Sequence, residues 1–272
     1  MRQVVISLKQ SSIRRQHIKK QFEMLNIDYE FFDAINKDRA LSTCHDLGLV
    51  FNNTLALGEL GCLLSHILVW KQAMENNEPY VVVFEDDAIV SPNYPSFIKE
   101  KLDELMGKYD LLKLETMNYK VLLDEAVDGF KDYKIQRLAS HHVGTAGYVI
   151  TSSLAKTIID EIRNSRITKP IDLYLFDAEA VGKRDVFQIV PALVIQEDKI
   201  NTDSLHLMSD LEKERRAFYN FKNINSKNVK PNHIAKIKRE TARLAAQINP
   251  NNWKKNYTNW RFKKLSSIIE FK

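Results

Sequence analysis

Two rhythms of apolar and polar positions alternate along the first 200 residues. Short apolar runs recur at residues 4–8, 29–32, 80–84, 110–114, 148–151, 186–190 and 192–195. Each is too short for a helix, and β-branched or aromatic residues recur among them, as strands require. Between them lie stretches with apolar residues at helical spacing. Ser11 or Ser12 caps a helix running to about Leu25, with Ile13, His17, Ile18, Phe22 and Leu25 as its stripe and Asn26 at its end. Residues 57–77 form a second helix with a broad face of Leu60, Leu63, Leu64, Ile67, Leu68 and Trp70. Further helices are expected over residues 94–106, from Ser152 or Ser153 to about Asn164, and from Pro170 to about Ala178. Residues 36–57 read as a loop or short helical pieces. Residues 121–123 and 134–138 read as a hairpin-like excursion around Gly129. The alternation predicts an α/β protein.

The run at 80–84, Tyr-Val-Val-Val-Phe, reads as a strand buried on both faces, and such strands belong to parallel sheets between helices. It ends in Glu85-Asp86-Asp87. In open α/β sheets ligands sit beyond the carboxyl ends of the strands. These carboxylates therefore stand where a ligand would be. Side chains two apart on an extended segment point the same way, so Glu85 and Asp87 converge while Asp86 faces elsewhere. Clustered carboxylates call for a cation, and hard oxygen ligands suit Mn²⁺ or Mg²⁺. The plain alternative is a solvated acidic turn. Glu115, ending the run at 110–114, joins the cluster if the two strands are neighbours.

Other polar positions fall at element ends. Ser7, Ser11, Ser12, Arg14 and Arg15 surround the start of the first helix, a phosphate site or an exposed basic turn. No Gly-x-Gly-x-x-Gly fingerprint occurs there. Glu59, Cys62 and His66 share one helical stripe, and His66 reads equally as a site residue or a core histidine held by a carbonyl. Residues 141–148, His-His-Val-Gly-Thr-Ala-Gly-Tyr, suit close backbone approach to a ligand or an ordinary turn. Asp172 stands in a helix first turn, where a capping carboxylate is common.

Composition adds limits. The 272 residues are 44% hydrophobic and 28% charged, an ordinary globular balance. Residues 1–9 do not read as a signal peptide. No stretch reaches the roughly 18 apolar residues of a membrane span. Cys44 and Cys62 have no zinc-type spacing and read as thiols in a reducing cytoplasm. The net charge of +5 is uneven: about 16 Lys and Arg against 4 Asp and Glu over residues 211–272 leave about −7 for the rest. From Ser209 the pattern turns helical, basic and aromatic, with Phe218, Tyr219, Phe221, Trp253, Tyr257, Trp260 and Phe262. That asymmetry suggests an anionic surface as partner.

The motifs, in order, resemble glycosyltransferase family 25, the bacterial lipooligosaccharide galactosyltransferases, which also resemble the collagen galactosyltransferases. They are Val5-Ile6-Ser7-Leu8 with Arg14-Arg15, Phe31-Phe32-Asp33-Ala34, and Gly58-Glu59 with Cys62, Ser65-His66 and Trp70. Then come Pro79-Tyr80 with Val83-Phe84-Glu85-Asp86-Asp87, Leu114-Glu115-Thr116-Met117, and Gly144-Thr145-Ala146-Gly147-Tyr148. Asp172-Leu173 and Pro191-Ala192-Leu193 with Gln196-Glu197 complete the set. The resemblance covers residues 3–200. It implies a GT-A-type single Rossmann-like nucleotide-sugar-binding domain, assigned to residues 1–205, with a mostly helical basic C-terminal region over 206–272. It also implies a UDP-sugar donor, UDP-galactose most commonly, inversion at the anomeric carbon and a lipooligosaccharide acceptor. Glu85-Asp86-Asp87 would be the DxD equivalent, with Glu85 where a strict motif has Asp.

On that reading Asp87 and Glu85 hold the metal. Ser7, Leu8, Arg14, Asp33, Glu85 and Asp86 meet the donor, and His142, Gly144, Thr145, Gln196 and Glu197 meet the acceptor. Asp172 is the first candidate for catalytic base and Glu115 the second. The basic aromatic tail would dock the enzyme peripherally on the cytoplasmic face of the inner membrane, with no nucleic-acid partner. Two alternatives stand beside it: a metal-dependent nucleotidyltransferase, and a non-enzymatic nucleic-acid-binding protein using the basic tail.

Overall fold

The computed structural model describes residues 1–200, Phe218 and 253–272. The chain opens with β1 (Arg2–Ser7), α1 (Ser12–Met24), β2 (Glu30–Asp33), α2 (Lys37–Asp46), α3 (Leu57–Glu75) and β3 (Tyr80–Glu85). Both β2 and β3 pair with β1 in parallel. The order β2-β1-β3, with helical crossovers, is a Rossmann-like half. Side chains of β1 and β3 alternate between two cores. Val4, Ile6, Val81 and Val83 face α3, whereas Val5, Val82 and Phe84 face Ile18 and Phe22 of α1. Both faces of the sheet are thus covered, which is why these strands read as unbroken apolar runs.

After β3 come β4 (Ala88–Val90) and a helical stretch, α4 (Tyr94–Phe97), a π turn and α5 (Asp103–Met106). Next are β5 (Leu111–Lys113), β6 (Glu115–Thr116), β7 (Lys120–Val121), β8 (Leu123–Phe130), β9 (Tyr133–Leu138) and β10 (Gly147–Thr151). The described fold closes with α6 (Ser152–Arg163), α7 (Ile171–Phe176), α8 (Ala178–Lys183), β11 (Phe187–Val190), β12 (Val194–Gln196), α9 (Trp253–Leu265) and β13 (Ser267–Ile268). The main sheet has eight strands in the order β2-β1-β3-β10-β5-β11-β9-β8, and β4-β12-β6 form a smaller one. The protein is mixed α/β with a large central sheet.

Several expectations change here. The sheet is not all parallel: β10 runs antiparallel to both β3 and β5. Burial on two faces, not parallel pairing, is what the run at 80–84 records. β10 also separates β3 from β5, so these two are not neighbours. Of the two alternatives for residues 36–57, loop or short helical pieces, residues 37–46 take the helical one as the ten-residue α2, capped by the Asn36 side chain accepting from Arg39 N. The cap of α6 is Thr151, whose hydroxyl accepts from Leu154 N at 3.3 Å, one residue before the expected serines. The β8–β9 hairpin turns at Lys131, with φ of 53°, while Gly129 lies inside β8. Ile13, expected in the apolar stripe of α1, is exposed.

The C-terminal residues return to the domain. β13 pairs with β7, Thr116 donates its hydroxyl to Ile269 O at 2.8 Å, and Ala192 N donates to Glu270 O at 2.7 Å. The basic aromatic stretch at 209–217 and 219–252, Tyr219 and Phe221 included, lies outside the described residues.

Candidate active site

The chemistry gathers where the carboxyl ends of β3 and β5 meet the chain entering β10. An antiparallel strand between two strands brings its amino-terminal approach to their carboxyl ends. Residues 144–146 therefore lie between Glu85 and Glu115, and they bond to both. Thr145 donates its hydroxyl to Glu85 Oε1, and Ala146 N donates to Glu115 Oε2 at 3.0 Å. Glu115 thus joins the cluster although β3 and β5 are not neighbours.

The three carboxylates after β3 have different partners. Asp86 is buried, accepting from Ser7 Oγ at 2.7 Å and from Arg14 Nη1 at 2.6 Å. It ties the end of β1 and the start of α1 to the acidic turn. Glu85 meets Thr145 and His66, whose Nε2 lies 3.4 Å from Glu85 Oε1. Burial pushes the Glu85 acid up, but His66, Thr145 and Arg14 outweigh it and hold it below the usual carboxylate range. Asp87 is half-buried, and its Oδ1 has no hydrogen-bond partner. Burial, then the charge of Glu85, raise its acid well above the usual range, with only Arg14 opposing among the nearest charges. A carboxylate pushed toward neutrality by burial and by other carboxylates, with an orphaned oxygen, is what a bound cation would relieve. The oxygen donors present fit a hard divalent ion.

Lys113 and Glu115 form a second, fully buried pair. Nζ lies 3.0 Å from Glu115 Oε2, also donates to Gly144 O, and sits 4.3 Å from the Phe176 ring centroid. Burial raises the Glu115 acid to about 7, more than Lys113 lowers it, and lowers that of Lys113. Glu115 Oε1 is buried without a partner. Gly144 packs against this pair with φ of +85°, and a Cβ there would lie 2.6 Å from Glu115 Oε1 and 2.8 Å from Oε2. Gly144→Ala is expected to cost at least the roughly 1–2 kcal/mol of a left-handed residue, plus displacement of Glu115. Urea denaturation beside an activity assay measures both losses.

Asp172, in the first turn of α7, is half-buried and accepts from Leu173 N at 2.9 Å and Gly144 N at 3.4 Å. Gln196 ends β12 and Glu197 opens the turn after it, its N donating to Asp87 O at 3.0 Å. His142 is buried, with Nδ1 3.1 Å from the Tyr119 hydroxyl; burial, then Lys113, push its imidazole well below the usual range. Asp33 is exposed and paired with Arg15, whose Nη2 also donates to Ser7 O at 2.9 Å. Half-buried Leu8 gives its carbonyl to Ser11 N at 2.9 Å. Sequence reasoning passed over Lys113. The available signal was its spacing: Lys113 and Glu115 are two apart and opposite in charge, at the end of one apolar run.

The sequence of the chain matches a known family. A family model described as glycosyltransferase family 25 (LPS biosynthesis protein) matches residues 1–175. The chain belongs to glycosyltransferase family 25. Among its relatives is the lipooligosaccharide biosynthesis protein lic2B of Haemophilus influenzae, 31% identical over 80% of this chain and 84% of the relative. The lacto-N-neotetraose biosynthesis glycosyltransferase LgtE of Neisseria meningitidis is 34% identical over 79% and 82%. The lipooligosaccharide biosynthesis protein lex-1 of H. influenzae is 30% identical over 92% of each chain. A solved glycosyltransferase involved in glycosylation of the PBCV-1 major capsid covers 80% of this chain and 97% of its own, but its TM-score of 0.37 at 9% identity is too low to argue from.

Proposed function

We propose that the protein is an inverting GT-A-type glycosyltransferase. It moves a hexose, galactose first among candidates, from a UDP-sugar to a lipooligosaccharide acceptor with a divalent cation, Mn²⁺ or Mg²⁺. The observation that carries this is the orphaned Oδ1 of Asp87, set among Glu85, Asp86 and Glu115 at the strand ends. Family membership supports glycosyl transfer over nucleotidyl transfer or nucleic-acid binding. Asp87, with Glu85, would hold the cation, which when bound neutralises charge on the departing diphosphate.

The rest falls to the chain itself. Ser7, Leu8, Arg14 and Asp33 border the donor side, with Asp86 holding Ser7 and Arg14 in place. On the acceptor side, Thr145, Gly144 and His142 already bond within the protein, so half-buried Gln196 and Glu197 are the side chains left to meet a sugar. Asp172 is the preferred base because it keeps exposed surface, whereas Glu115 has none. Asp172→Asn is expected to lower kcat by about 10²–10⁴-fold with UDP affinity unchanged. Near-normal turnover would pass the role to Glu115. The founding test is UDP release across a panel of UDP-sugars with Mn²⁺ or EDTA. Cation-dependent release from one sugar supports the reading; silence, with no UDP binding by calorimetry, overturns it.

Membrane docking is part of the proposal. Tyr257, Trp260 and Leu265 of α9 are exposed, and Lys264 lies 5.2 Å from the Trp260 ring. Interfacial Trp and Tyr anchor well, and each basic residue adds about 1 kcal/mol near anionic lipid. No helix among the described residues is long and apolar enough to cross a membrane. Co-sedimentation with anionic liposomes is expected to fall with salt and on Trp260→Ala; insensitivity to both removes the docking role.

A further inference from the structure

Beside the acidic turn lies a group of different chemistry. Cys62 and His66 are one helical turn apart on α3 and face the end of β3, a spacing that brings side chains together. Among the described residues, a sulfur of Cys62, a ring nitrogen of His66 and a carboxylate oxygen of Glu85 all lie within 4.8 Å of one another. His66 is fully buried, and its Nε2 has no hydrogen-bond partner. Its other nitrogen is held: Nδ1 lies 2.8 Å from the Tyr148 hydroxyl, which accepts from Trp70 Nε1 at 2.9 Å. A histidine oriented through one nitrogen, with the other unsatisfied beside a carboxylate and a thiol, is arranged as metal-binding histidines are.

We propose that Cys62, His66 and Glu85 form a site for a borderline-soft divalent cation, zinc in type, separate from the hard-cation position at Asp87. A mixed sulfur, nitrogen and oxygen set selects zinc over Mg²⁺ or Mn²⁺. Geometry agrees. Ligand bonds of about 2.0–2.3 Å put tetrahedral ligands about 3.3–3.8 Å apart, and His66 Nε2 to Glu85 Oε1 is already 3.4 Å. Closing the Cys62 side needs a shift of about 1 Å from the 4.8 Å limit, within reach of a half-buried side chain. Three protein ligands leave a fourth position for water or substrate. Binding releases the Cys62 thiol proton to solvent, since the thiolate is the ligand. Glu85 is shared with the proposed hard-cation position, so zinc would compete there and inhibit transfer.

The test uses the full-length protein, reduced and stripped of metal, titrated with Co²⁺ and Zn²⁺. Expected is a near-ultraviolet thiolate-to-Co²⁺ charge-transfer band that Zn²⁺ removes. Cys62→Ser should abolish the band and weaken zinc binding more than about 100-fold, beyond the 10–100-fold that loss of an outer partner causes. Cys44→Ala and Asp87→Ala should keep it. X-ray absorption of the zinc form should show one sulfur at about 2.3 Å. No band in the wild type, or a band that survives Cys62→Ser, overturns the site. A band lost with Asp87→Ala as well would merge it with the hard-cation position and equally overturn it. A folded Cys62→Ser protein, judged by circular dichroism, is required for the comparison; His66→Gln is the second variant, expected to weaken binding similarly.

Discussion

Asp87→Ala is expected to remove cation-dependent turnover almost completely, by more than about 10³-fold. Charge stabilisation by a bound cation is worth several kcal/mol, and each 1.36 kcal/mol is about tenfold in rate. The same substitution should not harm the fold. Asp87 Oδ1 has no partner, and its acid is raised by burial and by Glu85. A carboxylate with a raised folded pKa contributes stability below its unfolded pKa and loses it as pH rises through the folded value. At neutral pH without cation, Asp87 therefore weighs against the folded state. Asp87→Ala should raise the cation-free Tm or leave it unchanged, and the rise in Tm that Mn²⁺ gives the wild type should vanish. Asp86→Ala makes the contrast. It breaks a buried bond to Arg14 at 2.6 Å and one to Ser7, so it should lower Tm with or without Mn²⁺. Thermal shifts with and without Mn²⁺, beside UDP release, separate the two neighbours. A Tm that falls sharply in Asp87→Ala would assign it a structural role.

That two adjacent aspartates meet different surroundings was legible in the sequence, because side chains alternate along an extended segment. Strands β1 and β3, with α1 and α3, were legible for a similar reason: burial on both faces writes unbroken apolar runs, and helices write a 3.6-residue period. The order of strands beyond β3 was not. A strand such as 147–151 reads the same whether it runs up or down, since its side chains face the same two cores either way. The proximity of Glu115 to Glu85 was expected through neighbouring strands and arises instead through residues 144–146. Lys113 was missed although Glu115 stands two residues on with the opposite charge, because that spacing alone does not say that the pair is buried. The return of residues 267–272 onto β7 and Ala192 is a contact between distant parts of the chain, for which no periodic pattern exists.

Lys113→Met should be the most destabilising substitution in the site, by about 3–5 kcal/mol, the usual cost of stranding one partner of a buried pair. Lys113 and Glu115 are both 0% exposed, so water cannot take the place of the missing ammonium. Methionine fills the same stem volume and leaves packing on Phe176 largely intact, so the loss reports charge. The sign of its pH dependence follows from Glu115, whose folded acid stands at about 7, above the usual 4.3 or so of an unfolded chain. Between those values the folded state holds a proton that the unfolded state has released, and stability falls as pH rises. In the wild type that fall levels off above about pH 7, once Glu115 ionises against Lys113. Without Lys113 the folded acid rises further, and the fall continues at up to about 1.4 kcal/mol per pH unit. The gap between Lys113→Met and wild type in urea denaturation should therefore widen from pH 6 to pH 8. Adding Glu115→Gln should narrow it and flatten its pH dependence, because the amide oxygen can still accept from Ala146 N and carries no charge. A gap that stays constant from pH 6 to pH 8 would mean that Lys113 acts through its ammonium, over the Phe176 ring and bonded to Gly144 O, and not through Glu115.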